Sequence, residues 1–192
     1  MEKYIKNHII SHIETAEKLL SDKNIFTGIE KASYLIIEAF RNNAKLLLAG
    51  NGGSAADSQH IAAEFVNRFC LEREGLPAIA LTTDTSVLTA IGNDYSFDRV
   101  FSRQLNSLGR SGDVFWALST SGNSVNLLEA LTECRKRGIM SIGFTGAKGG
   151  NMADMCDIPV RVPSDETPRI QEMHILLAHI ICEIVEKELF QK

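Results

Sequence analysis

The sequence lacks any apolar run close to the roughly 20 residues that a membrane-spanning helix needs. Its most apolar stretch, residues 175–182, is interrupted by His179. It also lacks an excess of basic charge, since 20 Lys and Arg stand against 24 Asp and Glu in 192 residues. We therefore expect neither a nucleic-acid partner nor a membrane partner. No apolar segment with a cleavage site follows the first residues, so we expect no signal peptide.

Cysteines are few and scattered. The four of them, Cys70, Cys134, Cys156 and Cys182, include no CxxC pair. This spacing disfavours a thiolate zinc site and a disulfide framework. Free thiols in a reducing compartment are the simpler interpretation, and we expect a cytoplasmic protein. No linker rich in Pro, Gly or Ser divides the chain, so we expect a single domain over residues 1–192.

Hydrophobic periodicity divides this domain into two parts. Residues 1–41 follow spacings of three and four, which predicts two amphipathic N-terminal helices separated by capping residues at 21–24. Residues 45–192 form an α/β core in which short apolar runs alternate with helical segments, before a long C-terminal helix that begins near Pro168. Near-continuous apolar strands spaced by helices are typical of a parallel sheet covered on both faces. The strand candidates are residues 46–49, 78–81, 114–118, 141–144 and 158–160, and the helical patterns between them lie at 54–68, 85–107, 124–137 and 149–154.

Two loops at the carboxyl ends of predicted strands have the composition of a phosphate site. Gly50-Asn51-Gly52-Gly53-Ser54 precedes a helix whose N-terminus would present free N–H groups. A tight structural turn explains those glycines equally well. Residues 119–124, with the sequence STSGNS, place four hydroxyls before another helix, more than a cap requires. We expect this second loop to bind the phosphate of a small metabolite.

Four side chains are candidates for proton transfer or metal binding. His60 and Glu64 lie four residues apart, on one face of the helix that begins at the glycine loop. His179, in the last helix, has two interpretations. It is either a structural histidine of the core or a functional residue that binds a metal or transfers a proton. With Gln171 they form a nitrogen and oxygen set suited to zinc. Gln171 and His179 are separated by about 12 Å along a helix, so either that helix begins irregularly or the two residues serve in different chains.

These motifs, together with Ile91-Gly92-Asn93-Asp94 and the segment at residues 169–174, resemble the sugar isomerase (SIS) domain family and, more narrowly, the phosphoheptose isomerases. The resemblance covers essentially the whole chain. It implies a three-layer α/β/α sandwich with a five-stranded parallel sheet, one zinc ion per subunit, and a homotetramer with active sites shared between subunits. The implied reaction converts sedoheptulose 7-phosphate into D-glycero-D-manno-heptose 7-phosphate through a cis-enediol. Its product would feed nucleotide-activated heptose for lipopolysaccharide core or capsule.

The resemblance also assigns roles to individual residues. It implies that Glu64 and His179 are the catalytic acid/base pair. The implied zinc ligands are His60, Glu64, Gln171 and His179. The implied substrate contacts are Asn51, Gly52, Gly53, Ser54, Glu64, Asn93, Asp94, Ser119, Thr120, Ser121, Ser124 and Gln171.

Two alternatives come from the same superfamily. Non-catalytic regulators that bind the replication initiator DnaA resemble residues 77–81 and 169–174 at least as well. They lack the acidic residue at the position of Glu64 and the histidine at the position of His179, and this chain keeps both, which favours an enzyme. A different aldose–ketose isomerase would differ only in the length of its substrate.

Overall fold

The computed structural model describes residues 1–191. These residues form eight α-helices, one short 3₁₀ helix and five strands. In chain order the elements are α1 (Glu2–Ser21), α2 (Lys23–Arg41), β1 (Leu46–Gly50), α3 (Gly53–Val66), β2 (Ala78–Ala80), α4 (Thr85–Asp94), the 3₁₀ helix (Phe97–Arg99), α5 (Val100–Leu108), β3 (Val114–Leu118), α6 (Val125–Arg137), β4 (Met140–Thr145), α7 (Gly150–Met155), β5 (Ile158–Arg161) and α8 (Thr167–Phe190).

The five strands form one parallel sheet in the order β2-β1-β3-β4-β5. The chain leaves β1 for β2 on one side and then crosses to β3 on the other. The loops that follow β1 and β3 therefore diverge, and a crevice opens between them at the carboxyl end of the sheet. Gly50 and Leu118, the last residues of these two strands, pair directly. The glycine loop and the hydroxyl loop thus begin side by side.

Helices cover both faces of the sheet. In β1, Leu46 and Leu48 pack into a core with α1, α2, α3 and α8, whereas Leu47 and Ala49 pack into a second core with α5, α6 and α7. Each of these four side chains is at most 1% exposed. Burial on both faces explains why the strands read as unbroken apolar runs. The predicted three-layer α/β/α sandwich with N-terminal helices is confirmed.

Two predicted features of the helices differ in the structure. The pattern at residues 85–107 predicts one helix, but the chain leaves helical geometry at Tyr95 and Ser96, and α4, the 3₁₀ helix and α5 are separate elements. Leu88 and Ile91 of α4 pack against the second core but are only partly buried, so periodicity there carries less packing information than in α5, where Phe101 and Leu105 are buried. The sequence also predicts a cap from Asp165, Glu166 or Thr167 beside Pro168. Pro168 does lie in the first turn of α8, but the N-cap residue Glu166 makes no side-chain capping bond.

The helix boundary near residue 22 follows the prediction. Asp22 caps α2, and its carboxylate accepts a hydrogen bond from Asn24 N at 2.9 Å. No helix within residues 1–191 is both long and apolar enough to cross a membrane.

The loops after β3 and β4 pack against each other through glycines. Gly122 has a φ of +66°, and a Cβ there would lie 2.0 Å from the carbonyl oxygen of Gly149. The carbonyl oxygen of Gly122 also accepts the N–H of Met152 at 2.9 Å. Gly149 is therefore part of a structural turn that supports the hydroxyl loop.

Candidate active site

Three predicted side chains converge where α3 packs against α8. His60 Nε2 lies 2.9 Å from Glu64 Oε1 and 3.3 Å from His179 Nε2. One ligand atom from each residue lies within 4.8 Å of the other two. His60 is exposed, and Glu64 and His179 are partly buried, so the cluster is open to solvent. The structure thus brings both members of the predicted acid/base pair together within one chain.

The geometry and chemistry of this cluster fit a divalent metal ion. Ligands about 2.0–2.1 Å from a tetrahedral zinc lie about 3.3 Å from one another, close to the separation of the two imidazole nitrogens. His60 Nε2 carries at most one proton, so it cannot donate a separate hydrogen bond to each of Glu64 Oε1 and His179 Nε2. One cation between these three atoms could be bound by all of them. Two imidazoles and a carboxylate are also the donor set of catalytic zinc sites that leave a position for substrate.

Gln171 does not reach this cluster within the chain. The helix α8 runs without interruption from Thr167 to Phe190, which removes the alternative of an irregular start. The side chain of Gln171 lies instead at the start of α3, where a Cβ on Gly53 would come within 2.5 Å of Gln171 Nε2. The remaining alternative is that Gln171 and His179 of different chains serve one site. The role of Gln171 as a ligand stays a prediction.

Two asparagines join the glycine loop to the hydroxyl loop across the crevice. Asn51 Nδ2 donates to Asn126 Oδ1 at 3.0 Å, and Asn126 Nδ2 donates to Asn51 Oδ1 at 2.9 Å. Asn126 is buried in the first turn of α6. The N-cap of α3 is Gly52, which has no side chain to cap the helix. Ser54 N and Ala55 N donate to the carbonyl oxygens of Asn51 and Gly52 at 3.0 and 3.1 Å, so within residues 1–191 the N–H of Gly53 is the one left for a ligand. Ser54 is buried, with 3% of its surface exposed.

The hydroxyl loop keeps donors available for an anion. Ser119 Oγ accepts the N–H of Gly122 at 3.1 Å and lies 3.2 Å from Ser124 Oγ. Ser124 is the N-cap of α6, but its hydroxyl makes no bond to the helix backbone. Hydroxyls, free N–H groups and the positive end of a helix together suit a phosphate group. A cavity of about 260 Å³ adjoins the loop and is lined in part by Thr120, Ser121, Lys148, Asp165 and Thr167.

Asn93 and Asp94 lie apart from these groups, at the exposed end of α4. Asn93 Nδ2 donates to Asp94 Oδ1 at 2.9 Å. Within residues 1–191, that bond is the only hydrogen bond that either side chain makes. Their roles as substrate contacts stay predictions.

The motif at residues 169–174 has a structural role in the single chain. Arg169 donates to the carbonyl oxygen of His8 at 2.6 Å, and Glu172 bonds His12 at 2.7 Å, so the motif ties α8 to α1. Burial lowers the pKa of His174 to about 4, against the opposing effect of its hydrogen bond to the Thr145 carbonyl. His174 is therefore neutral near pH 7.

Two residues that contact the predicted site were missed by sequence reasoning. Asn126 lies two positions after the hydroxyl loop, but only its burial, which the structure shows, marks it as part of the site. The ring of Phe69 lies 5.5 Å from that of His179, at an angle of 32°. Phe69 belongs to the connection between α3 and β2, where no periodicity points to a role.

Comparisons with known proteins agree with this architecture. The profile of the SIS domain family matches residues 11–146. A phosphoheptose isomerase of Aneurinibacillus thermoaerophilus is 56% identical over 191 residues, which cover 100% of this chain and 96% of that protein. The solved structure of a phosphoheptose isomerase from Neisseria gonorrhoeae superposes with a TM-score of 0.91 at 42% identity and covers 97% of this chain and 98% of its own. One from Francisella tularensis gives a TM-score of 0.92 at 35% identity, with coverages of 96% and 97%.

The cluster of His60, Glu64 and His179 predicts that the protein binds a divalent transition metal. His179→Gln should weaken that binding by at least about 10–100-fold, a loss that follows even from removing a hydrogen-bond partner of a metal ligand. Calorimetric titration of the chelator-treated protein with Zn²⁺ measures the affinity. His12→Gln, which alters a histidine paired with Glu172, is the control and should bind as the unaltered protein does. Equal affinity in the two variants would contradict the assignment.

Proposed function

The chain belongs to the SIS domain family and, within it, to the phosphoheptose isomerases, and we propose that it interconverts sedoheptulose 7-phosphate and D-glycero-D-manno-heptose 7-phosphate. The observation that carries this proposal is the convergence of His179 of α8 with His60 and Glu64 of α3, a helix that begins at the glycine loop, beside the hydroxyl loop. An acid/base pair beside an anion site is what an aldose–ketose isomerase of a sugar phosphate requires.

The reaction moves hydrogen between two neighbouring carbons and their oxygens. Glu64 removes a proton from C1 of the ketose, and His179 donates a proton to O2, which yields the cis-enediol. Glu64 then returns a proton to C2 while His179 accepts the proton of O1, and the aldehyde forms at C1. A single carboxylate on one face of the enediol can reach both carbons, so all atoms balance without a further reactant.

We propose that zinc is the resident metal, one ion per subunit, held by His60, Glu64 and His179 with Gln171 of a neighbouring subunit. When bound, it supplies a Lewis acid that polarises the substrate carbonyl and the adjacent hydroxyl. Glu64 and His179 are then both ligands and proton carriers. We infer that their ligation loosens when the substrate binds.

The separation between the phosphate loops and the acid/base pair supports a long substrate. His60 lies seven residues after Gly53 on α3, or about 10 Å along the helix axis. An extended chain of single bonds advances about 1.2 Å per bond. The roughly eight bonds from C1 to the phosphorus of a heptose 7-phosphate therefore span about 10 Å. A phosphate held at the loops would place C1 and C2 beside Glu64.

We propose a homotetramer with active sites shared between subunits. The distance between Gln171 and His179 supports shared active sites, because both residues can bind one metal ion only if they come from different chains. Exposed apolar side chains on α1 and α8 also support it, since surfaces of this kind mark interfaces. They include Tyr4, Ile5, Ile9, Ile13, Ile180 and Ile184.

We further propose that the enzyme works in the cytoplasm and that its product feeds nucleotide-activated heptose for lipopolysaccharide core or capsule. The four cysteines, all free thiols in the described part of the chain, are compatible with a reducing compartment. The biosynthetic role follows from the family resemblance.

Glu64→Gln should abolish turnover, because general acid/base catalysis contributes about 10²–10⁴-fold and Glu64 carries the carbon-bound proton. NMR of sedoheptulose 7-phosphate incubated with the zinc-loaded protein follows the conversion. Binding of the sugar phosphate, measured by calorimetry, should remain. The zinc content of the variant shows whether metal loss contributes.

Glu72→Gln is the matched control, since Glu72 is an exposed glutamate whose only ion pair within residues 1–191 is with Arg68. It should turn over normally. Full activity of Glu64→Gln would remove Glu64 from the mechanism. An unchanged sugar spectrum with the unaltered, zinc-loaded protein would refute the isomerase and favour a regulator that only binds a ligand.

Replacing Ser119 and Ser124 together by alanine should chiefly raise KM, by at least about tenfold, because hydrogen bonds to a charged group are worth about 1.5–3 kcal/mol each. Initial rates over a range of substrate concentrations separate kcat from KM. Ser111→Ala, at the opposite end of β3, should leave both unchanged. A fall in kcat alone would mean that the hydroxyls act on the transition state.

A further inference from the structure

We propose that Arg73 and Glu186 form a buried clamp that positions Glu64 and His179 relative to each other. Neither residue was selected by sequence reasoning, and neither is a metal or substrate residue in the predicted set. The proposal concerns the acid/base pair of the proposed isomerase and rests on that function. The clamp is a positioning device and does not itself touch the substrate.

Glu186, on α8, binds three consecutive backbone N–H groups of the connection between α3 and β2. Its carboxylate accepts the N–H groups of Phe69, Cys70 and Leu71 at 2.9, 2.7 and 2.9 Å, and it bonds Arg73 Nε at 3.0 Å. Burial opposes ionisation of Glu186, but these donors outweigh it and hold its pKa below the usual value. A charged carboxylate in such a ring of donors makes strong, directional bonds.

Arg73 closes the end of α3 that carries Glu64. Its guanidinium donates to the carbonyl oxygens of Glu64, Phe65 and Asn67 at 2.8, 2.7 and 3.2 Å. The last carbonyls of a helix have no partner within the helix, and a cation there is favourable. The Arg73 and Glu186 side chains are only 1% and 2% exposed. Arg73 therefore holds the backbone of Glu64 itself.

The same clamp reaches His179 through Phe69. Glu186 lies seven residues after His179 on α8, about two turns along the same face. The loop that Glu186 holds carries Phe69, whose ring lies 5.5 Å from the imidazole of His179. The Arg73–Glu186 ion pair thus fixes the end of α3, which carries the base Glu64. It also fixes the ring of Phe69, which lies beside the acid His179.

The chemistry of the pair indicates positioning more than stability. Replacing a buried ion pair by apolar residues is often neutral or stabilising, so stability alone does not explain why a charged pair lies here. Only arginine offers a planar set of donors that can bond a carboxylate and several carbonyls at once. Misplacement of reacting groups by about 1 Å can lower a rate by about 10²-fold.

The test compares Arg73→Lys with the unaltered protein. Lysine keeps the charge but cannot span Glu186 and the carbonyls of α3. We expect kcat to fall by about 10–100-fold, with KM within about twofold because the phosphate loops lie at the other end of α3. The visible spectrum of the Co²⁺-substituted protein should change, because the spectrum reports the arrangement of the ligands. Circular dichroism at the assay temperature establishes that the variant is folded.

Arg137→Lys is the matched control, since Arg137 pairs with Glu133 on α6 in the opposite layer. It should leave kcat and the Co²⁺ spectrum unchanged. If Arg73→Lys does not fold, Glu186→Gln takes its place, because its amide keeps the size of the side chain and one acceptor oxygen but removes the charge that pairs with Arg73. A folded variant with normal kcat and a normal Co²⁺ spectrum would overturn the clamp. If the unaltered protein does not turn over, the proposed function fails, and the Co²⁺ spectra still test the clamp.

Discussion

The parallel packing of α3 against α8 is the contact on which the site depends. Gly53 lies so close to Gln171 that a Cβ on the glycine would come within 2.5 Å of the amide nitrogen. Both helices rise about 1.5 Å per residue. His60 lies seven residues after Gly53 and His179 eight residues after Gln171, so the two histidines lie at nearly the same height along the paired helices. The atoms in the way form the end of the Gln171 side chain, which can turn aside, so a side chain at position 53 would displace the Gln171 amide before it moved either helix. Gly53 therefore leaves room for the Gln171 amide at the start of α3, in addition to the substrate contact predicted for it.

The sequence predicts most of the architecture because burial on both faces makes the strands distinctive. Each of the five strand candidates is a strand in the structure, within two residues at either end. The proximity of His60 to Glu64 was predictable, since they share a helix face. The apolar stretch around His179 is equally typical of a core histidine, so its place beside them was implied only by the family resemblance. The division of residues 85–107 into α4, a 3₁₀ helix and α5 was not predictable, because α4 has no fully buried residue to fix its period, although α5 has several.

The remaining parts of the site depend on contacts between residues that are far apart in the sequence, and residue spacing does not reveal such contacts. Arg73 and Glu186 are 113 positions apart, and Asn51 and Asn126 are 75 apart. In each case a polar side chain joins a loop to a helix, and loops have no periodicity to reveal which residues point inward. Gln171 illustrates the same limit, because the residue type was suggestive but only the uninterrupted helix showed that it cannot join His179 in one chain.

The glycine loop precedes α3, and Glu64 lies farther along that helix beside His179 of α8. We propose that Glu64 abstracts a carbon-bound proton from a substrate whose phosphate is anchored at the glycine and hydroxyl loops. Exchange of the C1 hydrogen of sedoheptulose 7-phosphate with deuterium in D₂O, followed by NMR, tests this most directly. The account predicts exchange with the zinc-loaded protein and none above background when Glu64 is replaced by glutamine. Exchange at an undiminished rate in that variant would contradict it.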